Sequence, residues 1–246
     1  MSYTNVFKRY ELKYLLTPAQ RDAVLLGIAP YMQLDRYGHT TIRNIYFDTG
    51  DYRLIRRSIE KPAYKEKLRV RSYRLVGSDD TVFVELKKKY DGVVYKRRIA
   101  LPESVATDWL MGRTKSPCDT QISREIDYFM SFYGSLRPTM FLSYEREAFY
   151  ERAGGDFRVT FDDNILCRRT DLSLRCPPSG HSILPPDRVL MEIKCSGAIP
   201  LWMVKILSTE KIYKTSFSKY GRAYVDTVLS CPADKNTVSE EILINA

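Results

Sequence analysis

The segment Lys65–Tyr73 reads KEKLRVRSY, and the segment Thr81–Lys89 reads TVFVELKKK. Side chains alternate across a β-strand, so residues two apart share a face. The first segment then separates into Leu68 and Val70 on one side and Lys67, Arg69 and Arg71 on the other. The second separates Val84 and Leu86 from Phe83, Glu85, Lys87 and Lys89. One face of each strand seeks a core, and the other gathers charge of one sign.

Moving outward, the same split places Arg9, Glu11 and Lys13 opposite Tyr10, Leu12 and Tyr14, and Glu192 with Lys194 opposite Met191 and Ile193. Other strands add Lys96 and Arg98, Arg146, and Arg158 with Asp162. These polar columns hold twelve cations (Arg9, Lys13, Lys67, Arg69, Arg71, Lys87, Lys89, Lys96, Arg98, Arg146, Arg158, Lys194) against four acids, Glu11, Glu85, Asp162 and Glu192. Like charges facing one another weaken strand pairing. A solvated sheet face would mix signs with Ser and Thr, so an excess of this size calls for an anion. If the sheet curls with these columns inward, the cations converge on one volume. Arg would grip phosphate oxygens in a fork, and Lys would act as a point charge. A carboxylate among them could hold a divalent metal or orient a neighbouring Lys.

Period-two patterning predicts strands over Phe7–Leu15, Thr41–Phe47, Lys65–Tyr73, Thr81–Lys89, Val93–Leu101, Thr139–Tyr150, Phe157–Asp162 and Val189–Cys195. Asp91-Gly92 and Gly154-Gly155 mark tight turns between strands. Thr17-Pro18 caps a helix expected to run to about Met32, and further helices are expected over Gly50–Ser58, Glu103–Met111, Ser123–Tyr133, Leu201–Ser208 and from Ser218 to Leu229. The expected fold is α+β and mainly antiparallel β. About eight strands can form a closed or nearly closed barrel, flanked by helices. One domain over residues 1–233 and a tail over 234–246 are expected, with no linker or repeat between them.

The chain has 246 residues, 39 basic against 30 acidic, and a net charge of +9. That balance favours an anionic partner without choosing among nucleic acid, membrane and phosphorylated small molecules. The 18 tyrosines invite base stacking on single-stranded nucleic acid, but Tyr10, Tyr14 and Tyr46 fall inside strands where aromatic residues pack, so no nucleic-acid partner is expected. No apolar run reaches the roughly 18 residues of a membrane span, and the charged N-terminal residues do not read as a signal peptide. A cytoplasmic protein without membrane insertion is expected. Five scattered cysteines without a C-x-x-C pair argue against a disulfide framework or zinc site, and His39 and His181 are the two histidines. A metal would need carboxylate and phosphate oxygens, which suits Mg²⁺ or Mn²⁺. The glycine-rich phosphate loop, the dinucleotide fingerprint and kinase catalytic motifs are absent, so phosphate binding would come from side chains on strands.

An ordered series of motifs resembles the polyphosphate polymerase domain of vacuolar transporter chaperone (VTC) proteins, within the triphosphate tunnel metalloenzymes. The series is RYELKY (Arg9–Tyr14), NIYFDT (Asn44–Thr49), KLRVRSY (Lys67–Tyr73), FVELKKK (Phe83–Lys89), YKRR (Tyr95–Arg98), SYEREAF (Ser143–Phe149), RVTFD (Arg158–Asp162), MEIK (Met191–Lys194) and FSKY (Phe217–Tyr220). The resemblance implies a β-barrel tunnel that binds ATP and polyphosphate, transfers the γ-phosphoryl group to a growing chain and releases ADP. It implies phosphate contacts at Lys13, Arg69, Arg71, Lys87, Lys96, Arg146, Arg158 and Lys219, with Lys67, Lys89, Arg98 and Lys194 as secondary contacts. It also implies Mn²⁺ or Mg²⁺ on Glu192, with Glu11, Glu85 and Asp162 as further candidate ligands. Hydrolysis of triphosphates and non-catalytic polyphosphate sensing are the alternatives.

Two positions depart from the wider pattern. Hydrolases of the superfamily start with E-x-E-x-K, whereas this chain has Arg9 before Glu11 and Lys13, which favours the polymerase branch. The polymerase pattern K-F-S-K-Y has Ser216 in place of its first Lys, so that either one phosphate contact is missing or Lys214 compensates from the same strand face. The resemblance is to a stand-alone form without the SPX domain and membrane helices of the eukaryotic complexes. Any coupling to transport would then need a membrane-protein partner.

Overall fold

A computed structural model describes residues 10–91 and 93–230. Arg9, the first residues of the earliest predicted strand and the expected tail lie outside the described residues. Among the described residues eleven strands and six helices follow one another: β1 (Tyr10–Leu16), α1 (Pro18–Ile28), β2 (Met32–Leu34), β3 (Thr40–Asp48), α2 (Arg53–Ile59), β4 (Tyr64–Ser72), β5 (Thr81–Tyr90), β6 (Val93–Pro102), α3 (Glu103–Leu110), α4 (Gln121–Tyr133), β7 (Arg137–Glu151), β8 (Arg158–Arg168), β9 (His181–Ser182), β10 (Val189–Cys195), α5 (Leu201–Thr209), β11 (Lys214–Thr215) and α6 (Lys219–Tyr224). Helix α6 continues as a wide turn over Val225–Leu229.

All strand pairs are antiparallel, in the order β11-β1-β10-β8-β7-β3-β4-β5-β6, with β2 beside β7 and β9 beside β8. Among the described residues the ring of strands is not closed by hydrogen bonds, but the sheet is strongly curled. β1 and β5 are six places apart in the order, roughly 29 Å on a flat sheet at about 4.8 Å per strand. Nevertheless, Lys87 Nζ on β5 lies 2.9 Å from Glu11 Oε2 on β1. The polar faces of the two flanks therefore meet across a lumen.

Three apolar clusters hold this curvature. On the outer face, Leu68, Val70, Val84 and Leu86 pack under Trp109, Leu110, Ile126 and Phe129 of α3 and α4. On the opposite flank, Tyr14, Val159, Met191 and Ile193 pack under Val24, Ile28, Met203 and Leu207 of α1 and α5. The third cluster occupies part of the concave face, where Ile42, Tyr46, Leu142 and Leu190 receive Ile55 of α2 and Tyr220, Ala223 and Tyr224 of α6. The concave face is thus divided into an apolar part plugged by helices and a charged part.

Local signals explain the helix starts. Thr17 and Gln20 form a reciprocal capping box with Pro18 at the first helical position. Asp48, fully buried at the end of β3, accepts from the amides of Leu54 and Ile55 at 2.8 and 3.0 Å and from the Tyr220 hydroxyl at 2.9 Å. The acid in the NIYFDT motif therefore fixes α2 and joins it to α6. Helix α1 ends at Ile28, before the expected Met32, because Met32 begins the short strand β2 beside Phe149–Glu151. Strand β8 runs past the expected Asp162 to Arg168. Among the described residues no helix is long and apolar enough to cross a membrane.

Candidate functional site

The charged half of the lumen is built from β1, β10, β8 and β7 on one wall and from β4, β5 and β6 on the other. Register alone aligns its columns: Lys67 faces Lys87, Arg69 faces Glu85, and these face Lys96 and Arg98 in turn. Across the lumen Lys13 faces Glu192, Glu192 faces Thr160, and Arg146 faces Asp162. Pairing like-charged Lys67 and Lys87 directly opposite is unfavourable. The fold supplies acids at the neighbouring rungs.

Two carboxylate centres organise the cations. Glu85 is fully buried and accepts from Arg69 Nε at 2.9 Å and Arg98 Nε at 2.7 Å, with Lys96 Nζ at 2.7 Å and Arg71 Nε at 4.0 Å. Burial alone would raise its pKa, but the four cations outweigh that cost and hold it well below the usual carboxylate range. The second centre is the pair Asp162 and Glu192. Arg146 forks onto Asp162 at 2.5 and 2.6 Å and reaches Glu192 at 3.5 Å. Lys219 Nζ bridges both, 2.5 Å from Asp162 Oδ2 and 3.0 Å from Glu192 Oε1. Lys194 and Lys13 complete the shell at 3.1 and 3.7 Å from Glu192. Burial opposes ionisation of both acids, yet Lys219, Lys194, Lys13 and Arg146 hold Glu192 well below its usual pKa, and Arg146 and Lys219 lower that of Asp162.

The cations are more numerous than these acids can neutralise. Lys67 Nζ rests on the Ser218 hydroxyl at 3.1 Å. Burial pushes its pKa well below the usual lysine value, and Lys13, Lys87, Lys65 and Arg69 push the same way. Lys13 and Lys194 are likewise lowered, mainly by burial, with Glu192 opposing. Lys96, whose side chain is 40% exposed, is pushed down to about 7 by burial and by the repulsion of Arg98, Arg69 and Arg71, against the pull of Glu85. An anion entering this space would raise the pKa values of these lysines again.

Lys13, Lys67, Arg69, Arg71, Lys87, Lys96, Arg98, Arg146, Lys194 and Lys219 are all joined to the carboxylate centres or to their immediate neighbours. Lys89 lies further along, facing Lys65 at half burial. Arg158 faces Lys194 in register but is solvent-exposed. Lys219 comes from the first turn of α6, whose N-cap Ser218 also accepts from the Gly221 amide at 3.1 Å. Lys214 does not compensate for Ser216. It pairs with Tyr14, whose ring enters the outer core, so Lys214 lies on the outer face, and Ser216 is exposed.

The strand columns also miss several residues that line the site. Arg71 donates to Asn44 Oδ1 at 2.9 Å and to the Tyr144 hydroxyl at 3.0 Å, and Arg69 donates to the Tyr46 hydroxyl at 3.0 Å. Tyr144 is fully buried and would have a raised pKa, but Arg71, Arg146 and Lys219 lower it instead. Thr160 carries a buried hydroxyl without a protein partner, facing Glu192. Alternation within RNIYFD and SYERE places Asn44, Tyr46, Tyr144 and Arg146 in lumen columns, a signal masked by reading only charged residues.

Among the described residues no three His, Cys, Asp or Glu side chains are arranged to hold a metal by themselves. The donor chemistry nevertheless fits Mg²⁺ or Mn²⁺. Such ions use one or two carboxylates and take the remaining oxygens from phosphates and water. Asp162 and Glu192 already share one cation, the Lys219 ammonium. Glu11 is instead engaged by Lys87, and Glu85 by its four cations.

The described residues form a curled antiparallel sheet whose concave side carries Arg and Lys around Glu85 and the Asp162–Glu192 pair. The chain matches the VTC domain over residues 8–227 and belongs to that family. Its fold is shared with solved structures of low identity. A candidate adenylate cyclase from Bacillus halodurans gives a TM-score of 0.52 at 15% identity, with 86% of this chain and 96% of that one covered. A Hippeastrum protein, described as a candidate adenylyl cyclase with a dominant triphosphatase activity, gives 0.51 at 13% identity, with 90% and 98% covered. No curated protein sequence matches the chain.

Proposed function

We propose that this protein is a metal-dependent polyphosphate polymerase that moves the γ-phosphoryl group of ATP onto the end of a polyphosphate chain and releases ADP. The observation that carries the reading is the surplus of cations around the buried Glu85 and the Asp162–Glu192 pair, together with membership of the VTC domain family. Phosphoryl transfer demands little covalent help and much positioning and charge neutralisation. Arg69, Arg71 and Arg146 would clamp phosphate oxygens in fixed directions, while Lys13, Lys87, Lys96 and Lys219 would follow the charge as it shifts. Lys67, Lys89, Arg98, Lys194 and Arg158 would extend the contacts along the chain. The bond between the γ-phosphorus and the β–γ bridging oxygen breaks as the terminal oxygen of the acceptor chain attacks. ADP carries away the bridging oxygen.

Glu192, with Asp162, would hold Mn²⁺ or Mg²⁺, which supplies charge neutralisation on the transferring phosphates. Arg146 and Lys219 keep both carboxylates ionised, as that role requires. Hydrolysis is the second reading. It needs the same clamp with water as acceptor, and the Hippeastrum protein of this fold is described by such an activity. Incubation of the purified protein with ATP and Mn²⁺ separates the readings. ADP with long polyphosphate supports the polymerase, and ADP with free phosphate supports the hydrolase. Tight polyphosphate binding without either product makes the lumen a sensor.

A further inference from the structure

The lumen column of β4 runs Lys65, Lys67, Arg69, Arg71, and the next residue of that parity is Tyr73. On β5 the column runs Lys89, Lys87, Glu85 and ends at Phe83, which faces Arg71. Both cationic columns therefore finish in an aromatic ring. Tyr46, Tyr144 and Tyr220 along the lumen wall are buried, whereas Tyr73 is 39% exposed. Its ring is also held in place. Arg98 Nη2 donates to the Tyr73 hydroxyl at 2.7 Å, and the ring meets Phe83 edge-on with centroids 5.6 Å apart at 71°. The Arg98 guanidinium lies 4.5 Å from the Phe83 centroid, and that of Arg71 lies 6.0 Å from the Tyr73 centroid.

We propose that Tyr73, backed by Phe83 and Arg98, is the shelf on which the base of a nucleoside triphosphate stacks while its phosphates enter the cationic lumen. The inference rests on the reading of that lumen as a triphosphate site and names the substrate class it selects. An inorganic phosphate chain gains nothing from an exposed ring. A nucleotide presents a π-face at one end and a polyanion at the other, in the order that β4 and β5 display. Stacking on a fixed aromatic side chain is tolerant of base identity, and adjoining guanidinium groups strengthen it. The shelf would therefore distinguish nucleoside triphosphates from inorganic triphosphate more than one nucleotide from another.

Calorimetric titration of the full chain with ATP and with tripolyphosphate, in EDTA so that neither turns over, tests the shelf. For Tyr73→Ala, the Kd for ATP is expected to rise about tenfold, and the Kd for tripolyphosphate less than about twofold. Tyr73→Phe keeps the ring but loses the bond from Arg98, and should stay close to wild type for both ligands. Equal losses for both ligands in Tyr73→Ala, or a loss in Tyr73→Phe as large as in Tyr73→Ala, overturn the shelf and leave Tyr73 as a support for Arg98. Unchanged ATP binding in Tyr73→Ala overturns it as well, while tripolyphosphate binding by the wild type keeps the lumen reading intact. A wild-type chain that binds neither ligand overturns the lumen reading and the shelf with it.

Discussion

Glu11 and Lys87 form an ion pair at 2.9 Å although five strands separate β1 from β5 in the hydrogen-bonded order. The pair ties together two flanks that share no backbone ladder. Burial would raise the Glu11 pKa, but Lys87 and Lys194 bring it down to about 2 from 4.5. A depressed carboxylate contributes stability that is present above the unfolded value and lost as pH falls through the folded one. The difference in stability between wild type and Glu11→Gln should therefore be constant above about pH 4.5 and shrink toward pH 2. Chemical denaturation across that window measures it, and a difference independent of pH would mean that the pair does not hold the curl.

Glu85 sits fully buried among four cations, Arg69, Arg71, Lys96 and Arg98. Removing one partner of a buried ionic cluster leaves uncompensated charge and costs about 3–5 kcal/mol. Glu85→Gln should lower the melting temperature by roughly 6–20 °C, at about 2–4 °C per kcal/mol for a chain of this size. Tripolyphosphate should recover part of the loss, because it neutralises the same Arg69, Arg98 and Lys96. A variant as stable as wild type would show that solvent already screens this cluster.

Lys96 has its pKa pushed down to about 7 from 10.5. Between those values the folded protein binds fewer protons than the unfolded chain. The cost of charging Lys96 among Arg98, Arg69 and Arg71 thus operates below about pH 7 and is relieved as pH rises toward 10.5. A phosphate chain close to Lys96 would raise its pKa again and draw in a proton. Tripolyphosphate binding at pH 8, measured in buffers of different ionisation enthalpy, should show proton uptake that falls in Lys96→Met. Equal uptake in both proteins would place the titrating group elsewhere.

Glu192 and Asp162 share Arg146 and Lys219. Glu192→Gln retains the shape and removes the charge, so turnover of ATP with Mn²⁺ should drop at least about 100-fold while the circular dichroism spectrum stays native. Metal dependence should weaken in parallel. Full turnover in this variant would remove Glu192 from the reaction.

The alternation in KEKLRVRSY and FVELKKK made the lumen legible, because β4 and β5 carry a period of two through Leu68–Arg71 and Val84–Lys87. The same reasoning found Glu192 and Lys194 on β10. It did not reveal that helices α2 and α6 fill part of the concave face, since Ile55 and Tyr220 read in sequence as ordinary helix residues. Nor could it show how Asp48 would be used: a buried acid that caps a helix and one that binds a metal look alike until the amides of Leu54 and Ile55 appear beside it. Lys214 illustrates the limit of parity. Its face is set by pairing with Tyr14 on another strand, a contact absent from local pattern.

The most direct test is a crystal structure of the protein with tripolyphosphate. A linear phosphate chain is expected inside the lumen, within hydrogen-bonding reach of Arg69, Arg71, Arg146 and Lys219, with Lys219 drawn away from Asp162. Phosphate density confined to the outer faces of the sheet at saturating ligand would contradict it.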